Sequence, residues 1–143
     1  MGLIWGIRVM ENFNAPFMAT NMQDFWQRWH ISLSSWCRDY VFQPLAALSR
    51  NRWIALLASM LVLALWHELS FRYLAWGIVQ ALLILITVRV RKYVPAFSSF
   101  INHHPMGSWL GRLWVFHIFA FSCVLIGSES IVSLSPAIKH LLR

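Results

Sequence analysis

Three stretches of this sequence run without a charged side chain: "WIALLASMLVLALW" at 53–66, "YLAWGIVQALLILITV" at 73–88 and "LWVFHIFAFSCVLIG" at 113–127. They constrain the fold more than any motif does. A bilayer core holds no water to satisfy open backbone groups, so a chain that places such runs there must make them helical. The first run reaches only about 21 Å as a helix, short of the roughly 30 Å hydrocarbon core. It is therefore expected to continue through His67 to about Ser70. The expected fold is an all-α integral membrane protein. It has about three transmembrane helices, near 53–70, 72–90 and 112–128, and an amphipathic interfacial or re-entrant helix near 21–36.

Composition agrees. Of 143 residues, 59% are AVILMFWYC, against about 45–50% apolar in soluble domains even with glycine counted. Charged residues make up 12%, roughly half the usual share. The net charge of +7 does not point to nucleic acid, because no basic helix or cluster carries it. The cations flank the apolar runs instead. Arg50 and Arg52 precede the first, Arg89, Arg91 and Lys92 follow the second, and Arg112 precedes the third. If the spans alternate, all lie on one side, which the positive-inside rule makes cytoplasmic. The turn at 67–73 then faces outward, with Arg72 as a cation on the wrong side. Cys37 and Cys123 form no CxxC and read as buried thiols rather than a disulfide. The N-terminus has no basic region before its short apolar piece and does not read as a signal peptide.

The chain reads as one membrane domain over 1–143. Residues 1–20 are a lead-in, the end of a hydrophobic element followed by a loop at "NFNAPF". Residues 21–40 read as an amphipathic motif helix, with Asn21 as N-cap and Asp24 three residues on. Met22, Phe25, Trp26, Trp29, Leu33, Trp36 and Tyr40 fall on one helical stripe, with Gln23, Gln27, His30 and Ser34 on a polar track beside it. Asp24–Arg28 is an i,i+4 pair, and Arg38–Asp39 stands where the chain is expected to bend. A helical pair follows at 53–90, then turns with room for a short helix over 93–111, then the third span at 112–128.

Chemistry concentrates at "LALWHELSF", 63–71. A zinc-protease helix needs His-Glu-x-x-His, and the second histidine would fall at Phe71, so that reading fails. An ionisable residue beside fourteen apolar ones is a functional candidate by default. His67 reads as a base in its neutral form, or as a helix-end histidine bonded to a nearby carbonyl. His30 is either a site residue or an ordinary solvated histidine on the polar track. His117 reads as a hydrogen-bonded packing residue, and His103 and His104 as surface residues. His30, His67, His117 and Glu68 show no metal-ligand spacing, so no metal is expected.

Two segments carry a resemblance. "ENFNAPFMATNMQDFWQRWHISLSSWCRDYVFQPL", 11–45, and "LWHELSFRYLAWG", 65–77, resemble the C-terminal portion of the membrane-bound O-acyltransferase family. The likeness is to the bacterial branch that holds the alginate O-acetylation and teichoic-acid D-alanyl transfer proteins. The block at 24–40 is the most specific part. The resemblance implies transfer of an acyl group, with acetyl the expected one, to hydroxyls of a cell-envelope polysaccharide or related polymer. His67 matches the histidine of the family's Leu-Trp-His motif and His30 that of its Arg-Trp-His block, which makes both catalytic candidates. No bound cofactor is implied. The acyl donor, acetyl-CoA or a carrier-protein thioester, is a substrate. The implied partners are membrane lipid, the polysaccharide acceptor, and periplasmic acyl-transfer subunits or further N-terminal helices. The implied place is the bacterial inner membrane, as a multi-pass protein.

The sequence departs from the family pattern at three points. Gln80 lies where a histidine is common after Trp-Gly, Glu68 follows the motif histidine where glycine is common, and "VLIGSES" replaces the usual Phe-Arg pattern. Two other readings stand beside the enzyme: a non-catalytic membrane subunit that only packs with partner helices, and a proton or ion pathway through His67, Glu68, Arg72 and His117. The Gln23, Gln27, His30, Ser34 track and Gln80 are expected to lack their full set of partners in a chain of this length.

Overall fold

Asn21 opens the first helix as the sequence predicts: its side-chain oxygen accepts a hydrogen bond from the Asp24 amide at 2.9 Å, satisfying one of the donors a helix start leaves open. The computed structural model describes Gly6 and residues 10–141, with side chains through 124 and at 126 and 127. The hydrophobic element expected at the start of the chain lies outside the described residues. Helix α1 spans Met22–Arg28, α2 Ile31–Cys37 and α3 Gln43–Ser49, with a π-helical turn at Arg38–Phe42 joining the last two. The single helix expected over 21–40 is therefore broken. Trp29 is extended at φ −101, ψ 128, and His30 is left-handed at φ 47, ψ 55. The bend expected at Arg38–Asp39 is the π turn itself, with the two side chains paired at 2.8 Å.

The break has a cause outside the helix. Residues 12–14 run alongside it: the Asn14 amide donates to the Arg28 carbonyl at 3.0 Å and the Ile31 amide to the Asn12 carbonyl at 2.9 Å. The Asn12 side chain then accepts from the Ser32 amide at 3.0 Å and from the Ser32 hydroxyl. Asn12 thus caps α2, a task the His30 side chain does not perform. Backbone groups that a continuous helix would have paired internally are paired with this lead-in strand instead.

Helix α4 covers Arg52–His67, α5 Phe71–Tyr93, α6 Pro95–His103 and α7 Pro105–Leu141. The expected extension of the first span to Ser70 does not occur. Glu68 is extended at φ −164, and Ser70 is used to cap α5, accepting from the Tyr73 amide. The third expected span lies within α7, which starts earlier, at Pro105; proline suits a first helical position because its missing N–H is not needed there. The short helix allowed for within 93–111 is α6. Among the described residues the fold is helical and forms no strand beyond one isolated bridge, Phe13 to Trp29. One described helix, Phe71–Tyr93, is long and apolar enough to cross a membrane, and Arg52–His67 is a shorter apolar helix.

Helices α4 and α5 fold back on each other through residues 68–70. Gly77 sets how closely: a Cβ there would lie 2.8 Å from the Met60 carbonyl oxygen and 2.9 Å from the Ala64 Cβ. The core is drawn from several elements, with Met22 and Phe25 of α1, Leu63 of α4, Gln80 of α5 and Val115 of α7 fully buried. The outer faces keep exposed Ile54, Leu57, Ile78, Leu82, Ile86, Phe116 and Phe121, a distribution suited to a solvent of lipid tails.

Gln80 corrects an expectation. It is fully buried and has partners. Its amide nitrogen donates to Ser122 Oγ at 2.8 Å, and its oxygen accepts from Trp26 Nε1 at 3.3 Å. Ser122 also accepts from Trp76 Nε1 at 3.2 Å and donates to the Phe119 carbonyl at 2.7 Å. A buried polar network thus ties α1, α5 and α7, with one partner on each atom of the Gln80 amide.

Candidate functional site

His30 and His67 come from different elements and meet around one indole. His30 sits in the α1–α2 break. His67 is the last residue of α4, one position after Trp66. The Trp66 ring packs edge-on against both imidazoles, at 5.5 Å from His30 and 4.9 Å from His67. His67 also stacks on Tyr73 at 5.9 Å and lies edge-on to Trp76 at 6.3 Å, both from α5. The helical hairpin therefore frames His67, and the clasp from Asn12 frames His30.

The two imidazoles differ in environment. His67 is exposed, at the mouth of the hairpin, rather than sunk in the apolar run as its sequence setting suggests. His30 is half-buried, and its Nδ1 is buried without a hydrogen-bond partner among the described residues. Its positive φ is uncommon for a non-glycine residue. Strained backbone and an orphaned ring nitrogen coincide at one position, a combination that concentrates at functional sites because the surroundings must hold it in place.

Nearby groups are accounted for. Glu68 is exposed and accepts from Arg72 at 3.4 Å, so it pairs across the turn with the first turn of α5. The Asp24–Arg28 pair forms at 2.8 Å. The Arg38 guanidinium, hydrogen-bonded to it, holds the Asp39 carboxyl below the usual carboxylate range. Burial pushes the Cys37 thiol up. His117 lies apart and is exposed, with its Nδ1 hydrogen-bonded to the Leu113 carbonyl at 2.7 Å rather than packed in the core. His103 and His104 are exposed. Among the described residues no three His, Cys, Asp or Glu side chains group closely enough to hold a metal ion. Sequence reasoning did not single out Trp66, Tyr73 or Asn12 as parts of the site. The only signal for Trp66 is its place beside His67 in the motif. Tyr73 and Asn12 carry no local signal.

The family model for MBOAT, the membrane-bound O-acyltransferase family, matches residues 3–128. The chain belongs to this family. Curated members share its sequence at moderate identity. A probable alginate O-acetylase of Pseudomonas putida is 42% identical over 80 residues, covering 54% of this chain and 16% of the relative. A teichoic acid D-alanyltransferase of Bacillus subtilis is 32% identical over 130 residues, covering 84% and 32%. A peptidoglycan O-acetyltransferase of Helicobacter pylori is 29% identical over 142 residues, covering 97% and 26%. The chain thus spans less than a third of the length of these relatives. In MBOAT terms, the break between α1 and α2 falls inside the Arg-Trp-His block, and the Leu-Trp-His motif closes α4.

Proposed function

We propose that this chain is the part of a membrane-bound O-acyltransferase that carries its histidines, and that it moves an acyl group, acetyl by preference, onto hydroxyls of a cell-envelope polysaccharide. The observation that carries this reading is the pairing of His30 and His67 across Trp66, with His30 strained and its Nδ1 unpartnered. His67 is the base. A sugar hydroxyl is a poor nucleophile until its proton is taken in the transition state, which a neutral imidazole does well near neutral pH. The hydroxyl oxygen forms the new ester bond as the acyl carbon–sulfur bond of a thioester donor breaks. The proton taken by His67 is then passed to the departing thiolate. His30 positions a reacting group with its free ring nitrogen. The donor is acetyl-CoA or a carrier-protein thioester. The setting is a multi-pass protein of the bacterial inner membrane with about three spans in this portion, working with periplasmic acyl-transfer subunits or further N-terminal helices.

Acyl transfer from a thioester to polysaccharide, measured for the full chain alone and with partner subunits at matched expression, tests the reading. His67→Gln should lower turnover by about 10²–10⁴-fold, the usual contribution of general acid–base catalysis, since an amide hydrogen-bonds but accepts no proton at neutral pH. His30→Gln should keep more activity than His30→Ala, because an amide can imitate a positioning role. Full activity in His67→Gln removes the base assignment. No transfer under any partner condition leaves the chain as a non-catalytic packing subunit.

A further inference from the structure

Two cavities share lining residues, and the first runs from its arginines to Ile31, next to His30, and Leu63, one turn before His67. The first, about 710 Å³, is lined by Arg38, Arg50, Arg52 and Arg91, and no Asp or Glu lines it. Arg38 is already matched by its two-pronged pair with Asp39, at 2.8 and 3.1 Å. The side chains of Arg50, Arg52 and Arg91 form no ion pair and no hydrogen bond among the described residues. Arg50 in addition holds φ 54 at the end of α3, a left-handed backbone that glycine adopts far more readily. The second cavity, about 770 Å³, has mainly apolar walls from Ile86, Val90, Phe97, Phe100, Leu110 and Trp114, with Asp24, already paired with Arg28, at its polar edge. Gln23 and Arg91 line both. Both volumes fall within the range of about 300–1,000 Å³ typical of ligand sites.

A chamber with three exposed arginines that form no ion pair among the described residues, Arg52 lying over the Phe42 ring, thus opens beside a mainly apolar chamber, with Arg91 at the junction. That arrangement complements an amphiphile with an anionic phosphate head and hydrocarbon tails. We propose that the two cavities form one site for an anionic phospholipid, its phosphate held by Arg50, Arg52 and Arg91 and an acyl chain lying in the α5–α6–α7 chamber. Guanidinium suits phosphate because its planar fork of donors matches two phosphate oxygens. Basic pockets between membrane helices hold phosphate headgroups for the same reason. A soluble phosphate-bearing thioester would answer the arginines but would leave the apolar chamber unfilled. The arginine end of the site is remote from His67. Arg52 opens α4 and His67 closes it, about 22 Å further along the helix axis. The lipid site stands independently of the acyl-transfer reading.

Lipid binding to the full chain in detergent, followed by native mass spectrometry and by titration of the melting temperature, tests it. The probes are phosphatidylglycerol, phosphatidylcholine, glycerophosphoglycerol without acyl chains, and coenzyme A. Phosphatidylglycerol should bind saturably and at least tenfold tighter than phosphatidylcholine. Removing its acyl chains should weaken binding at least tenfold. Arg91→Gln and Arg50→Gln should each weaken phosphatidylglycerol binding about tenfold, and Arg91→Lys, which keeps the charge but not the fork, should bind between wild type and Arg91→Gln. Equal binding of the two lipids, or binding unchanged in both Arg→Gln variants, overturns the proposal. Displacement of phosphatidylglycerol by coenzyme A also overturns it and assigns the arginines to a soluble phosphate donor.

Discussion

His30 concentrates the tension between stability and use in one residue. Left-handed backbone costs an L-residue roughly 1–2 kcal/mol that glycine is spared. The ring meanwhile packs against Trp66 and Phe13. Both replacements, His30→Gly and His30→Ala, remove the ring, but only glycine relieves the backbone. His30→Gly should therefore melt higher than His30→Ala by the equivalent of about 1 kcal/mol, while both lose acyl transfer if His30 positions the reaction. Thermal unfolding in detergent reads the difference. An alanine variant as stable as the glycine one would show that the left-handed geometry carries no strain. At this scale the sequence is legible where partners are near neighbours. The Asn21 cap, the Asp24–Arg28 pair and the His117 bond to the Leu113 carbonyl are all set within three or four residues. Trp66 as the surface both histidines share is not legible, since nothing local relates His30 to α4.

The helices show the same division. Uncharged runs mark α4, α5 and the middle of α7, because burying a backbone in an apolar medium leaves few alternatives to a helix. The break in the motif helix is hidden, because its cause is the Asn12–Asn14 segment lying beside Arg28–Ser32. Periodicity reports which face is apolar; it does not report that another strand has taken the backbone's hydrogen bonds. The hairpin of α4 and α5 offers a direct test. Gly77→Ala inserts a Cβ at 2.8 Å from the Met60 carbonyl oxygen and 2.9 Å from Ala64 Cβ, and backbone atoms do not move aside as a flexible side chain would. The helices must separate, at about 1–3 kcal/mol, the range for overpacking a filled contact. Because Tyr73 and Trp76 sit on the same helix and frame His67, activity should fall along with the melting temperature. An unchanged melting temperature in Gly77→Ala would mean the two helices are not held that close.

At the level of the whole molecule, three helices are joined through Gln80, Ser122 and Trp26 rather than by apolar contact alone. Gln80→Leu keeps the approximate volume but leaves the Trp26 indole N–H and one Ser122 contact unmet. Each buried polar group so orphaned costs about 1–3 kcal/mol. The substitution should thus lower stability more than Leu82→Ala on the exposed face of the same helix, and a melting comparison in detergent that gave the reverse order would show the network to be dispensable. The network was not legible from Gln80 itself, since its partners come from segments 54 and 42 residues away. The clasp at Asn12 has the opposite character, and it bears on time rather than energy. Asn12 and Ser32 are separated by only 20 residues, and closing so short a loop is entropically mild. During synthesis the N-terminal side leads, so the strained turn at His30 has all its backbone partners before the first residue of the α4–α5 hairpin has been made. The turn at His30 thus depends only on segments that precede the hairpin, and the hairpin that carries His67 is the last part of the site to be made.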